Sequence, residues 1–316
     1  MKFGCKKYCF AFLNICVVAI IALLPSCKAV KLSDADDTLA RGEFFEASKM
    51  YRKVYNRLTK PDERPLRGEV AYKLGTCFMR LNRPVNAAAA FQNAVRYGYP
   101  DSTVYLNLGR MLQASGKYPQ AVKEYEKYLE WRPDDVIARS GIRGCNIAIA
   151  SKSDPKSRYV VKQAKLFNSR RADFSPMYFD KTLDKLYFTT TNEKVTGENK
   201  SEITGMKKGD IWMSKKNEKG EWQRPEPVEG ELNSEADEGI ISFSPDGQTM
   251  YLTVARRSES ASTSVEIYTS QRSEASWSAP QKFEILNDTV TAVGHPAVSP
   301  DGTYLYFTSD MPGGYG

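Results

Sequence analysis

The chain has 316 residues, with 45 basic against 38 acidic side chains and a net charge of +7. That length has room for two domains, each able to bury its own core. A single histidine, His295, excludes a His-built metal cluster and a Ser/His/Asp triad, and the basic surplus forms no stripe of the kind that binds nucleic acid.

Lys2, Lys6 and Lys7 precede an apolar run from Cys9 to Leu24, broken only by Asn14, and then Leu24-Pro25-Ser26-Cys27. This is the three-part pattern of a signal peptide. The run of about 16 residues is shorter than the ~20 that a helix needs to cross a bilayer core. A small residue followed by cysteine resembles the lipobox of bacterial lipoproteins. The resemblance implies removal of residues 1–26, lipid on Cys27, and a short tether over 27–32; a retained anchor or an ordinary secretory signal are the alternatives. Diacyl and amide-linked chains together anchor a protein without a spanning helix. Removal takes three lysines and no acids, so 42 basic groups then face 38 acidic ones, a charge of +4. Of the six cysteines only Cys77 and Cys145 then keep their thiols unmodified. In an exported protein two thiols invite a disulfide.

Residues 33–150 show helical periodicity and no strand pattern. They also repeat: Leu74-Gly75 recurs as Leu108-Gly109, Ala87 as Ala121, Phe91 as Tyr125 and Ala94 as Tyr128, always at one step of about 34 residues. A first copy carries Ala47, Tyr51 and Val54, set further from Ala87 than that step because Lys60-Pro61-Asp62-Glu63-Arg64-Pro65 lengthens the connection. These positions resemble the tetratricopeptide repeat, a pair of antiparallel helices whose small residues permit close contact and whose aromatics fill the adjacent gap. Pro133 falls at the repeat break, and residues 134–150 supply a final helix to cover the open end. Cys77 and Cys145 are separated by two whole periods, so they occupy equivalent positions too distant for a disulfide. The resemblance implies a concave face that holds a protein segment. Its first helices are expected to present Glu69, Tyr72, Thr76 and Arg80, then Thr103, Asn107, Arg110 and Gln113.

After a linker at 151–158, residues 159–316 change to short alternating runs separated by Gly, Pro, Asn and Asp. A second, longer step appears here: Ser244-Pro245-Asp246-Gly247 returns as Ser299-Pro300-Asp301-Gly302, and Met250-Tyr251-Leu252 as Leu305-Tyr306-Phe307. Ile211-Trp212-Met213-Ser214 returns as Ile267-Tyr268-Thr269-Ser270; Trp222 with Pro225 returns as Trp277 with Pro280. Phe174-Ser175-Pro176 is read as an older copy of the turn, and Tyr159 to Leu166 as an outermost strand before the first unit. Units of this length with four short strands resemble the blades of the WD40-like, TolB-type β-propeller family. Pro245, Asp246, Gly247, Pro300, Asp301 and Gly302 are expected as structural turn residues, Asp bonding its own backbone and Gly accepting positive φ. In that family a His-Pro pair often precedes the turn, which gives His295 a packing role. Asp34-Ala35-Asp36 begins like a calcium loop but lacks its glycine and final glutamate. No nucleophile elbow, P-loop or C-x-x-C occurs, so no catalytic residue, metal or cofactor is expected.

The expected fold is an α-solenoid of tetratricopeptide repeats followed by an incomplete β-propeller that stops in its third blade, the N-terminal part of a longer protein. A lipoprotein signal, tetratricopeptide repeats and a WD40-like propeller together resemble Gram-negative envelope lipoproteins of the OmpA family, including a component of type IX secretion. The resemblance implies a non-enzymatic scaffold at the outer membrane, facing the periplasm, with protein partners on both repeat domains. It implies membrane contact through the lipid, and peptidoglycan contact only if an OmpA-like domain follows. The alternative is the regulatory part of a propeller-gated serine peptidase.

Overall fold

In a computed structural model the described residues are 29–152, 161–201, 203–257, 263–274, 276–286 and 291–314. Cys27, the segment 1–26, most of the 151–158 linker and Tyr159 lie outside them. The chain divides by its contacts into two units: residues up to Gly42 with Ala47–Ala138, and Glu43–Glu46 with Arg139–Gly316.

Seven α-helices occur among the described residues: α1 (Leu32–Ala40), α2 (Phe44–Arg57), α3 (Arg64–Arg80), α4 (Pro84–Arg96), α5 (Thr103–Ala114), α6 (Tyr118–Leu129) and α7 (Val136–Lys152). Pro65, Pro84 and Pro119 open α3, α4 and α6, where a missing N–H costs nothing. α1, α4 and α5 are each followed by a glycine at positive φ, and α3 by Asn82 at φ 50°, the one side chain that tolerates this left-handed cap well. In the first unit the repeat positions form the core: Ala47, Tyr51, Val54, Leu74, Ala87, Phe91, Ala94, Leu108, Ala121, Tyr125 and Tyr128 are all buried. Ala35, spaced from Tyr51 as Gly75 is from Phe91, is fully buried as the small residue of the first repeat. The long connection holds a single 3-10 turn, Pro61–Glu63. Cys77 and Cys145 are both buried and unpaired.

The second unit is built of antiparallel sheets. β1 (Asp173–Tyr178), β2 (Lys185–Thr190), β3 (Asp210–Lys215) and β4 (Glu226–Pro227) pair in that order. β5 (Asp237–Phe243), β6 (Thr249–Arg257) and β7 (Thr263–Ser273) follow, with β8 (Ser276–Trp277) and β9 (Gln281–Lys282) both on β7. β10 (Val293–Val298) and β11 (Leu305–Ser309) form a third, two-stranded sheet. Tyr187 and Ile211 of the first sheet pack on Met250, Leu252 and Trp277 of the second. The sheets do not close into a ring, so this is an incomplete propeller-like arrangement.

Two local expectations need correction. Ser175-Pro176 lies inside β1, and the turn of the first unit spans Phe179 to Asp184 instead. The mismatch arises because that turn has no SPDG and is slightly longer, so Phe174-Ser175-Pro176 matched by composition and not by place. Residues 161–166 form no strand; Phe167 and Asn168 N–H both donate to the Ala164 carbonyl at 3.0 Å, closing a turn. That turn is held by its aromatic: the Phe167 ring stands edge-on to Phe188 at 6.0 Å and Trp222 at 5.5 Å.

One recurring device has no counterpart in the sequence motif. The first strand of every sheet carries a register shift, with Ser175, Ile240 and His295 at φ 52°, 44° and 57° within it. Each is a bulge that bends the innermost strand. The outer strands β4 and β9 begin just after Pro225 and Pro280, while Trp222 and Trp277 close the preceding hairpin.

Candidate functional site

The first helices α1, α3 and α5 carry their burial on one side: Val70, Ala71, Leu74, Gly75, Cys77 and Phe78 of α3 are interior. The helical period then leaves Glu69, Tyr72, Lys73, Thr76 and Arg80 together on the other side. Tyr72 is the centre of the surface. Its hydroxyl lies 3.2 Å from Thr103 Oγ1 and accepts from Asn107 Nδ2 at 3.2 Å, tying α3 to α5. Its ring stacks on Tyr99 with centroids 4.3 Å apart and planes 10° apart.

A second polar group ties α1 to α3. Lys73 Nζ donates to Asp36 Oδ1 at 2.9 Å and pairs with Glu69 at 2.8 Å, and the buried Tyr51 hydroxyl donates to Asp36 at 2.6 Å. Burial works against the charge on Asp36, but the Tyr51 hydroxyl and the Lys73 ammonium outweigh it and hold the carboxyl below its usual range. Burial likewise opposes the charge on Lys73, and Glu69 and Asp36 hold its pKa above the ordinary lysine value. The ion pairs are half-exposed, so they orient side chains more than they stabilise the fold.

Of the eight residues expected on this face, Tyr72, Thr103 and Asn107 form one hydrogen-bonded group. Glu69 joins the Lys73 pair. The Thr76 hydroxyl donates to the Tyr72 carbonyl at 3.1 Å. Gln113 turns inward, accepting from Tyr125 at 2.7 Å. Arg80 and Arg110 are exposed. Lys73 and Tyr99 were not expected on this face, and Asp36 entered only as part of a stretch that begins like a calcium loop. Asp36 and Lys73 were recoverable from register: Asp36 precedes Thr76 by the same offset as Ala47 precedes Ala87, and Lys73 precedes Asn107 by one full period. Tyr99 lies between helices, where no period places it.

On the sheets the expected turn aspartates bond within their own turns. Asp246 accepts from the Ser244 hydroxyl at 2.5 Å and the Gln248 N–H at 3.0 Å; Asp301 accepts from Ser299 at 2.5 Å and Thr303 at 3.1 Å. These bonds, the hydroxyl foremost, lower both carboxyl pKa values. Pro245 and Pro300 precede the aspartates, and Gly247 and Gly302 follow at φ 67° and 74°. His295 is exposed in its bulge, where its N–H donates to Thr253 Oγ1 at 2.8 Å. Among the described residues no three His, Cys, Asp or Glu side chains are grouped to hold a metal, and no helix is long and apolar enough to cross a membrane.

Comparison with known families matches residues 69–102 and 102–135 to tetratricopeptide repeat models. Residues 69–135 are tetratricopeptide repeats. Among solved structures, the chain is similar to the first tetratricopeptide domain of Spaghetti (RPAP3) bound to an HSP90 peptide, at 22% identity over 37% of this chain and 89% of that one, TM-score 0.31. It is similar to the first such domain of human RPAP3 at 23% identity, over 40% and 93% of the two chains, TM-score 0.32. For the Sgt2 domain of Aspergillus fumigatus the values are 18%, 42% and 87%, TM-score 0.32. A comparison with curated proteins found no match.

Proposed function

We propose that this chain is a non-enzymatic scaffold whose tetratricopeptide repeats hold a segment of a protein partner on the surface centred on Tyr72. The observation that carries this reading is the Tyr72–Thr103–Asn107 group. It joins the first helices of consecutive repeats into one continuous polar face, with Arg80 and Arg110 exposed on the same helices. A surface whose side chains already bond one another is pre-organised, which lowers the ordering cost of binding.

The location of that scaffold rests on sequence alone. The Leu24-Pro25-Ser26-Cys27 motif supports a lipid-anchored protein at the outer membrane, facing the periplasm. The combination of repeat types supports a place in an envelope or type IX secretion assembly.

Two experiments test the reading. A photo-crosslinking amino acid replaces Thr76 or Arg110 in cells, with Lys123 on α6 as the control position. Adducts of defined mass at 76 and 110, absent at 123, are expected; equal labelling at all three removes the binding face. Mass spectrometry of the membrane fraction should find a mature chain that starts at acylated Cys27, and an unmodified start elsewhere removes the anchor.

A further inference from the structure

Consecutive helices of the first unit run antiparallel, so the starts of α1 and α3 share one end with the finishes of α2 and α4. Three contacts fasten that end. The Arg57 guanidinium at the close of α2 donates to the Val30 carbonyl just before α1, and Arg64, which opens α3, donates to the Arg96 carbonyl at the close of α4 at 2.8 Å. The Arg67 guanidinium lies 4.6 Å from the ring centroid of Tyr55 and 5.0 Å from that of Tyr97.

The end is cationic. Lys31, Arg57, Lys60, Arg64 and Arg96 are exposed there, Arg67 is half-buried by its two rings, and Leu66 adds an exposed apolar side chain. None of the six cations has an ion-pair partner among the described residues. Of the acids at this end, Asp34 and Glu63 accept from the backbone N–H groups of Lys31 and Lys60 at 3.3 and 2.9 Å, and Asp62 is exposed. Further along, towards the start of α7, the sign reverses: Asp101, Glu130, Asp134 and Asp135 outnumber Arg132. The positive patch is therefore confined to the half that carries the start of the chain.

That position decides what the patch fits. Cys27 stands five residues before α1, and a chain extended by at most about 3.6 Å per residue holds α1 within ~18 Å of any lipid on that cysteine. An anionic headgroup layer is then the one partner kept permanently beside these cations, at high effective concentration. Its phosphates match the arginines and lysines, and the tyrosines beside them have the amphipathic rings that suit a membrane interface.

We propose that the α1–α4 end of the helical unit lies on the anionic phospholipid headgroups of the membrane that holds Cys27, an inference that rests on the reading of Cys27 as lipid-bearing. The contact sets the bearing of the partner-binding face. Tyr72 lies two turns into α3, about 12 Å from its start at 1.5 Å per residue, so the face stands clear of the lipid surface.

The probe is extruded vesicles of phosphatidylglycerol and phosphatidylcholine, about 3:7, cosedimented with the mature chain 27–316 carrying Cys27→Ser, which has no lipid of its own. Pelleting with these vesicles is expected, with none on pure phosphatidylcholine, and added salt should reverse it. The K60E/R96E double variant should bind about tenfold more weakly or worse, whereas K117E/K123E, the same charge change at the start of α6, should lose less than about threefold. All four positions are exposed, and an unchanged urea midpoint checks that each variant is folded. No pelleting, equal pelleting on both kinds of vesicle, or equal losses in the two double variants overturns the proposal. Acylation of Cys27 is read separately by mass spectrometry, so failure of the anchor is distinguishable from failure of this surface.

Discussion

The ring of Phe91 lies so close to the backbone of Gly75 that a methyl group on Gly75 would stand 2.7 Å from its Cδ1 and Cε1. One repeat later Gly109 and Tyr125 stand in the same relation, at 2.9 Å. Gly75→Ala gains up to about 1 kcal/mol of helix propensity but overpacks a contact that neither ring can leave, at a cost of about 1–3 kcal/mol. A net loss of up to about 2 kcal/mol is expected in urea unfolding. Gly75→Ala combined with Phe91→Leu should recover part of it, whereas a stabilised single variant would refute the close contact.

Burial pushes the Cys77 thiol up to about 12, and it raises Cys145 as well. A thiol that is neither exposed nor ionised does not react. Iodoacetamide should leave both residues unmodified in the native protein and label both in urea without reductant, as read by peptide mass mapping. Failure to label either one in urea would indicate that they are joined.

Leu183 occupies the turn position that is Gly247 and Gly302 in the other two sheets, and it adopts the same left-handed backbone, φ 56° against 67° and 74°. A leucine pays a steric penalty of about 1–2 kcal/mol there, and this side chain recovers little because it is 47% exposed. Leu183→Gly is expected to stabilise the protein by up to about 1 kcal/mol after the entropy that glycine adds to the unfolded chain. A lowered thermal midpoint would mean that the leucine packs more than its exposure suggests.

Glu238 is fully buried, and burial raises its carboxyl from 4.5 to about 6; the bonds from Ser234 pull it back, and Asp210 and Asp237 push it further up. Below pH 4.5 it is protonated in both states. Between 4.5 and 6 the folded protein keeps a proton that the unfolded chain has released, so stability falls as pH rises; above 6 the cost is constant, about 2 kcal/mol. Glu238→Gln has no such titration. The difference in urea stability between variant and wild type should move in the variant's favour across that window and stay level above it. A difference independent of pH would place the titration elsewhere.

Two periods in the sequence determined most of the architecture. The shorter step names the buried small and aromatic positions of the helices because each repeat must bury the same stripe against its neighbours. The longer step does the same for the sheets, whose tight turns admit few residue types. The innermost strand escaped this reading because its bulge is a backbone feature: Ser175, Ile240 and His295 share a left-handed φ and no side-chain chemistry. The helical face was legible as a set of outward positions, since periodicity alone assigns them a side. Only tertiary structure decided how they divide. Gln113 is drawn inward by Tyr125, Lys73 is held between Asp36 and Glu69, and Tyr72 binds two residues of the next repeat. A hydrogen bond between helices depends on distances of a few tenths of an ångström, and these are set by the packing of Gly75 on Phe91 beneath the surface, which a repeat period constrains but does not measure.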